Sequence, residues 1–152
     1  MTLNNFLIRE IKQEDNSKIA TTIRTVLIEF GVPKIGTAYA DKILDTLFEA
    51  YSFEKAIYFV VEKNGEIFGG AGIKQLDNYA GNVCELQKMY FSPKSRGKGY
   101  GKLLFKKCME EAKKMGFKQC YLETSAAMEA AIHIYQKNKF QHLKRLYPVS
   151  LD

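Results

Sequence analysis

The sequence predicts an α+β fold, a mixed and mostly antiparallel sheet covered by helices. Three observations carry that reading. Segments with strand and helix apolar periods follow one another in the order β-α-α-β-β-β-α-β-α-β. Asn64-Gly65 stands between two β-rich runs and marks a two-residue hairpin. From Glu85 onward a strand pattern, a glycine-rich stretch and a helix pattern run in direct succession. A further strand follows Gly116, so this βαβ unit makes the two strands parallel neighbours.

Each element has its own justification. Asn5 to Ile11 alternates loosely and reads as a first strand. The Gln13–Asn16 cluster supplies acids suited to a helix N-terminus, and Ile19, Ile23, Val26, Leu27 and Phe30 recur at helical spacing behind it. Gly31 and Pro33 stop that helix, and Gly31 to Thr37 is a loop. A second amphipathic helix is expected from about Ala38 to Tyr51, with Ile43, Leu44, Leu47 and Phe48 as its apolar stripe. Ala56–Val61 and Glu66–Ile73 are the hairpin strands. Gly69, Gly70 and Gly72 in the second of these imply a bulge or a close backbone approach. Asp77-Asn78 and Gly81-Asn82 frame the turn into the Glu85 strand, whose alternation assigns Glu85, Gln87, Met89 and Phe91 to one face. A helix from Lys102 to Met115 turns Leu104, Cys108, Ala112 and Met115 inward and ends at Gly116. Gln119–Thr124 is the parallel strand, Met128–Lys137 a helix, and Phe140–Leu143 the start of a final strand.

The bulk composition sets bounds. At 152 residues, one domain spanning 1–152 is expected, long enough for a real core. Hydrophobic residues at 46% beside 26% charged ones describe a globular chain rather than a disordered one. No apolar run reaches the length of a membrane span and no signal-peptide pattern opens the chain, so a cytoplasmic location away from membranes is the default expectation. Cys84, Cys108 and Cys120 have no metal-type or C-x-x-C spacing and read as core thiols, and no metal site is expected. Ten basic residues lie between Lys88 and Lys118, opposed only by Glu110 and Glu111, which favours a small polyanionic partner. No nucleic-acid-binding motif accompanies them, so nucleic acid is not the expected partner.

The chemistry is concentrated where the Glu85 strand ends. Ser92-Pro93 terminates the strand, since Pro cannot donate to a ladder. Arg96-Gly97-Lys98-Gly99-Tyr100-Gly101 then runs into the helix at Lys102. Glycines let backbone N–H groups turn inward, and the first N–H groups of a helix have no intrahelical acceptor, so the arrangement is an anion cradle. A P-loop does not fit, because Gly97 to Gly101 is one residue short and Leu103 replaces the hydroxyl that binds magnesium. A dinucleotide fingerprint does not fit either, because Lys102 replaces its third glycine.

Arg96-x-x-Gly99-x-Gly101 resembles the acyl-CoA pyrophosphate loop of the GNAT superfamily of N-acetyltransferases, which reads Arg/Gln-x-x-Gly-x-Gly/Ala. A second stretch, Met128 to Phe140, resembles that family's Asn-x-x-Ala-x-x-x-Tyr-x-Lys-x-Gly-Phe helix. Ala131, Tyr135, Lys137 and Phe140 match, while Met128 and Lys139 depart from it. The resemblance implies a GNAT-like sheet whose two parallel strands splay to admit the pantetheine arm. It implies acetyl-CoA as co-substrate and no metal. The N–H groups of Arg96, Gly97, Lys98, Gly99, Tyr100, Gly101 and Lys102 would hold the pyrophosphate. Backbone groups of Met89, Tyr90 and Phe91 would meet the acetyl carbonyl and the pantetheine. Tyr135 would protonate the leaving thiolate. Glu85 would serve as general base, with Glu123 as the alternative, because an attacking amine must be neutral.

The expected reaction is direct acetyl transfer to a small-molecule or peptide amine. The runner-up is a catalytically silent acyl-CoA sensor, and a nucleotide-dependent enzyme is third. Family members commonly close the acceptor pocket with a C-terminal hairpin. Only 12 residues follow Phe140, so a short wall or one completed by a second subunit of a homodimer is expected.

Overall fold

The computed structural model describes residues 2–3, 6–76, 82–123 and 146–151. Among these, seven strands form one sheet in the order β1 to β7: Thr2–Leu3, Phe6–Glu10, Ile57–Lys63, Glu66–Gln75, Val83–Phe91, Gln119–Glu123 and Leu146–Ser150. Every neighbouring pair is antiparallel except β5 and β6. The mixed, mostly antiparallel sheet with flanking helices is therefore present, with β1 an additional short strand. The proposed helix at Met128–Lys137 and the strand start at Phe140–Leu143 lie outside the described residues, as does the turn at 77–81. A closing strand is found instead at β7, antiparallel to β6.

Two cores cover the two sheet faces. Helix α1, Asn16–Glu29, buries Ile19, Ala20, Ile23 and Leu27 against Tyr58, Val60 and Ile67 on one face. Helix α3, Tyr100–Lys114, buries Leu104, Phe105, Cys108 and Ala112 against Phe59, Ala71, Ile73, Cys84 and Leu86 on the other. At about 25 cal/mol per Å² of apolar surface, these two stripes are the main source of cohesion. All three cysteines are buried in the α3 core, and desolvation there pushes the Cys108 and Cys120 thiols well above their usual range. Their reading as core thiols holds.

The segment from Ala38 to Tyr51 differs from expectation. It is three short pieces rather than one helix: 3-10 turns at Ala38–Ala40 and Lys42–Thr46, then the single-turn helix α2, Leu47–Ala50. Asp41 explains the break. Its carboxylate accepts the Ile43 N–H at 3.0 Å, so it caps a new turn where the helix would have continued. Leu44 and Leu47 are buried as expected, but Ile43 is 48% exposed. Phe30 likewise stands 40% exposed at the end of α1 rather than in the core.

The Asn64-Gly65 hairpin forms as read. Asn64 and Gly65 both have positive φ, the signature of a type I′ turn. The β4 glycines are a close approach. A Cβ on Gly70 would stand 2.6 Å from the Phe59 carbonyl oxygen and from the Tyr58 ring. Tyr58 thus packs against Gly70 and Gly72, and Tyr51 against Gly72, on the α1 side of the sheet.

Candidate active site

The site is built on β5. Its pairing with β4 slips between Gly70 and Gly72, so that Lys88 and Met89 together oppose one residue. Lys88 sits at φ 51°, the left-handed conformation of a bulge. The phenol of Tyr58, completely buried, donates to the Lys88 carbonyl at 2.8 Å and holds the bulge from beneath. The bulge resets the alternation of the strand. Cys84 and Leu86 face the α3 core, and beyond the bulge Met89 and Phe91 face it too. Glu85 and Gln87 therefore lie on the opposite face, with Tyr51 and Tyr58. This corrects the expected single face of Glu85, Gln87, Met89 and Phe91. The strict two-residue period fails because one extra residue enters the ladder.

Glu85 is nearly buried, at 9% exposure. The Gln87 side-chain N–H donates to a Glu85 carboxylate oxygen. Gln87 in turn accepts the Tyr51 hydroxyl at 2.7 Å. A chain of hydrogen bonds thus runs Tyr51–Gln87–Glu85 and fixes the direction of the carboxylate. Sequence reading missed both supporting groups. Gln87 was signalled by its two-residue offset from Glu85. Tyr51, 36 positions from Gln87, gave no local signal.

The parallel ladder pairs β5 with β6 from Val83↔Gln119 to Leu86↔Leu122, while β5 itself runs on to Phe91. Glu85 lies opposite Tyr121 in that ladder, one step before its end. Glu123 closes β6, paired with Leu146 of β7. Tyr135, the expected acid, lies outside the described residues, as do Lys137 and Phe140.

Beyond Phe91, a 3-10 turn at Pro93–Ser95 leads into the glycine loop. Gly97 and Gly99 adopt φ 74° and 86°, conformations glycine reaches without strain. Gly99 is the N-cap of α3, and the helix begins at Tyr100, two residues before the expected Lys102. Intrahelical bonding starts with the Leu103 N–H donating to the Gly99 carbonyl, so the N–H groups of Gly101 and Lys102 lie in the first turn, ahead of that ladder. A Cβ on Gly97 or Gly99 would meet nothing within 4 Å, so both glycines border open space. An open loop, a helix head and the adjoining Lys98 and Lys102 fit a diphosphate. Tyr100 offers backbone only, since its ring is buried 4.4 Å from that of Phe6.

Arg96 has a structural attachment. Its guanidinium forms a bidentate pair with Glu29 at 2.7 and 2.8 Å and donates to the Phe91 carbonyl at 2.7 Å. It also lies 5.2 Å over the Phe30 ring. The pair holds the Glu29 carboxyl below its usual range. Arg96 therefore ties the end of α1 to the end of β5 and the start of the loop. Ser92, beside it, has a buried hydroxyl with no hydrogen-bond partner among the described residues.

A mixed sheet with a parallel strand pair, a bulged strand leading into a glycine cradle, and a nearly buried carboxylate on that strand are the frame of an acyl-CoA-dependent acyltransferase. The comparisons agree. Residues 24–140 match the model of the Acetyltransferase (GNAT) family. An uncharacterized N-acetyltransferase of Escherichia coli K12, YjgM, is 45% identical over 138 residues, covering 90% of this chain and 83% of that one. A GNAT-family acetyltransferase from Staphylococcus aureus Mu50 superposes with a TM-score of 0.85 at 23% identity, covering 97% of this chain and 99% of that one. The Salmonella typhimurium protein yncA, solved with its cofactor acetyl-CoA, superposes with a TM-score of 0.77 at 19% identity, covering 98% and 95%. The chain belongs to the GNAT family and is an acyl-CoA-dependent N-acetyltransferase.

Among the described residues there is no His/Cys/Asp/Glu group able to hold a metal, and no helix long and apolar enough to cross a membrane.

Proposed function

We propose that the protein moves an acetyl group from acetyl-CoA directly to a primary amine, as a single cytoplasmic acetyltransferase domain. The observation that carries this reading is the continuity of β5. One strand presents the Glu85 carboxylate, runs past the end of its parallel ladder over the Lys88 bulge, and delivers the chain into the Gly97–Lys102 cradle.

In this reading each group has a task. The N–H groups of the loop and of the first turn of α3 receive the diphosphate, with Lys98 and Lys102 adding charge. Arg96 contributes by bracing the loop through Glu29 and Phe91. The backbone from Met89 to Phe91 offers the pantetheine an edge to pair with, in the manner of an added strand, and a donor to the acetyl carbonyl. Glu85 takes a proton from the acceptor ammonium, directly or through water, and Gln87 and Tyr51 hold it for that task. The freed lone pair forms the new C–N bond as the C–S bond breaks, and the nitrogen gives up its second proton to water as the amide forms. Tyr135 returns a proton to the sulfur. The acceptor approaches from the α1 side, where Glu85 lies.

The test is Gly99→Glu. It forces a side chain into a left-handed position at the cradle and adds negative charge there. Binding of coenzyme A, followed by calorimetry, is expected to fall at least about tenfold, the scale of one lost charge-assisted contact. Unchanged affinity would remove the cradle from the mechanism.

A further inference from the structure

Lys74 stands beside the proposed base. It is the direct cross-strand partner of Glu85 in the β4–β5 ladder, and cross-strand partners project from the same face. Its ammonium lies 5.5 Å from the centre of the Tyr51 ring and 5.9 Å from that of Phe53. Among the described residues it has no carboxylate within ion-pair distance. Phe53 is 66% exposed, so this corner of the face opens to solvent.

Among the described residues, three carboxylates of the 38–51 segment already have partners. Asp45 pairs with Arg24 at 2.6 Å, and Glu49 accepts from Asn16 and Gln13. Asp41 faces Lys88 at 3.8 Å and caps Ile43. Among the described residues, Lys74 is a half-buried cation with no ion-pair partner, directly across from the carboxylate that would deprotonate the acceptor.

We infer that the acceptor is an amine that also carries a carboxylate, and that Lys74 binds that carboxylate. The inference rests on Glu85 as the proton-accepting group. Its physical basis is threefold. A polycationic acceptor such as a polyamine would be repelled by Lys74, whereas a carboxylate would be attracted. The ammonium is held against the Tyr51 and Phe53 rings on a half-buried side chain, which limits the ordering needed on binding. A cation close to the acceptor nitrogen also disfavours the protonated amine and so eases the first proton transfer. A single ammonium matches one carboxylate, whereas a phosphate dianion calls for several donors.

Thiol release from acetyl-CoA, measured over matched pairs of α-amino acids and their decarboxylated amines with spermidine included, tests the inference. The amino acid of at least one pair is expected to exceed its decarboxylated partner in kcat/KM by about tenfold or more, the scale of one charged hydrogen bond. In Lys74→Gln that ratio should collapse to about twofold or less through a raised KM for the amino acid, and Lys74→Arg should restore most of it. Preference for spermidine or for the decarboxylated amines would overturn the inference. So would a Lys74→Gln variant that keeps the wild-type ratio. Turnover without a carboxylate preference leaves acetyl transfer standing and removes only this specificity. An absence of turnover with every amine, in protein that binds coenzyme A, removes the transfer reading and this inference with it.

Discussion

Asp15 shows how one buried carboxylate organises the entry to α1. It is 3% exposed and accepts both terminal nitrogens of Arg9, at 2.8 and 2.9 Å, as well as the Lys12 N–H at 2.7 Å. Burial pushes its carboxyl up, but the Arg9 guanidinium and the Lys12 N–H outweigh that and leave it below the ordinary value of 3.8. A depressed carboxyl contributes stability that is fully present above the unfolded-state value and is lost as pH falls through the folded one. Asp15→Asn is expected to cost about 2–3 kcal/mol near neutral pH, less than the ~3–5 kcal/mol of a fully broken buried pair because Glu62 still holds Arg9. Urea denaturation from pH 7 down to pH 2 checks this. The gap between wild type and variant should persist at pH 5 and narrow below about pH 4. A gap independent of pH would mean that packing, rather than charge, sets the cost.

At the scale of the element, β4 is the most exacting part of the sheet. Gly70 faces the Phe59 carbonyl and the Tyr58 ring so closely that a methyl group has no room. Gly70→Ala should therefore destabilise by about 1–3 kcal/mol or more, because backbone as well as side chain must shift. Thermal unfolding should register the loss, and an unchanged Tm would show that the β3–β4 spacing can yield. The glycine triplet was readable in advance because a strand spends three glycines only where backbones or rings press together. The Asn64-Gly65 turn and the parallel β6 strand were readable for similar local reasons.

The bulge at Lys88 was not readable in the same way. Lysine carries no signature of positive φ, and the conformation is set by Tyr58 thirty positions away. The interrupted 38–51 segment had a helical period that competed with the capping carboxylate of Asp41, and the cap prevailed. Arg96 matched a loop motif in sequence, yet its guanidinium is engaged by Glu29, which lies 67 residues upstream. The guanidinium's direction is set by a partner remote in sequence, which a loop motif does not encode.

For the whole molecule, the charge distribution bears on ligand capture. The net charge is +6, and the basic residues gather along the loop and α3. Coenzyme A is expected to raise Tm, because a ligand that binds only the folded form stabilises it by mass action. Raising sodium chloride from about 0.05 to 0.5 M should shrink that increase, since the Debye length falls from roughly 14 to 4 Å. Thermal shift with coenzyme A at the two salt concentrations measures the effect. A salt-independent shift would assign recognition to the backbone cradle alone.

The phenol under the β5 bulge has a wider consequence. The geometry that would deliver a thioester is anchored from the sheet interior by Tyr58 and the β4 glycines, with Tyr51 and the buried Leu44 and Leu47 supporting it from the segment between α1 and β3. Within that segment, Pro33 to Gly36 stand exposed and can exchange their side chains without disturbing the anchor. Acyl delivery and this exposed stretch are thus mechanically separate, and the scaffold is suited to receiving new side chains at 33–36 on an unaltered sheet.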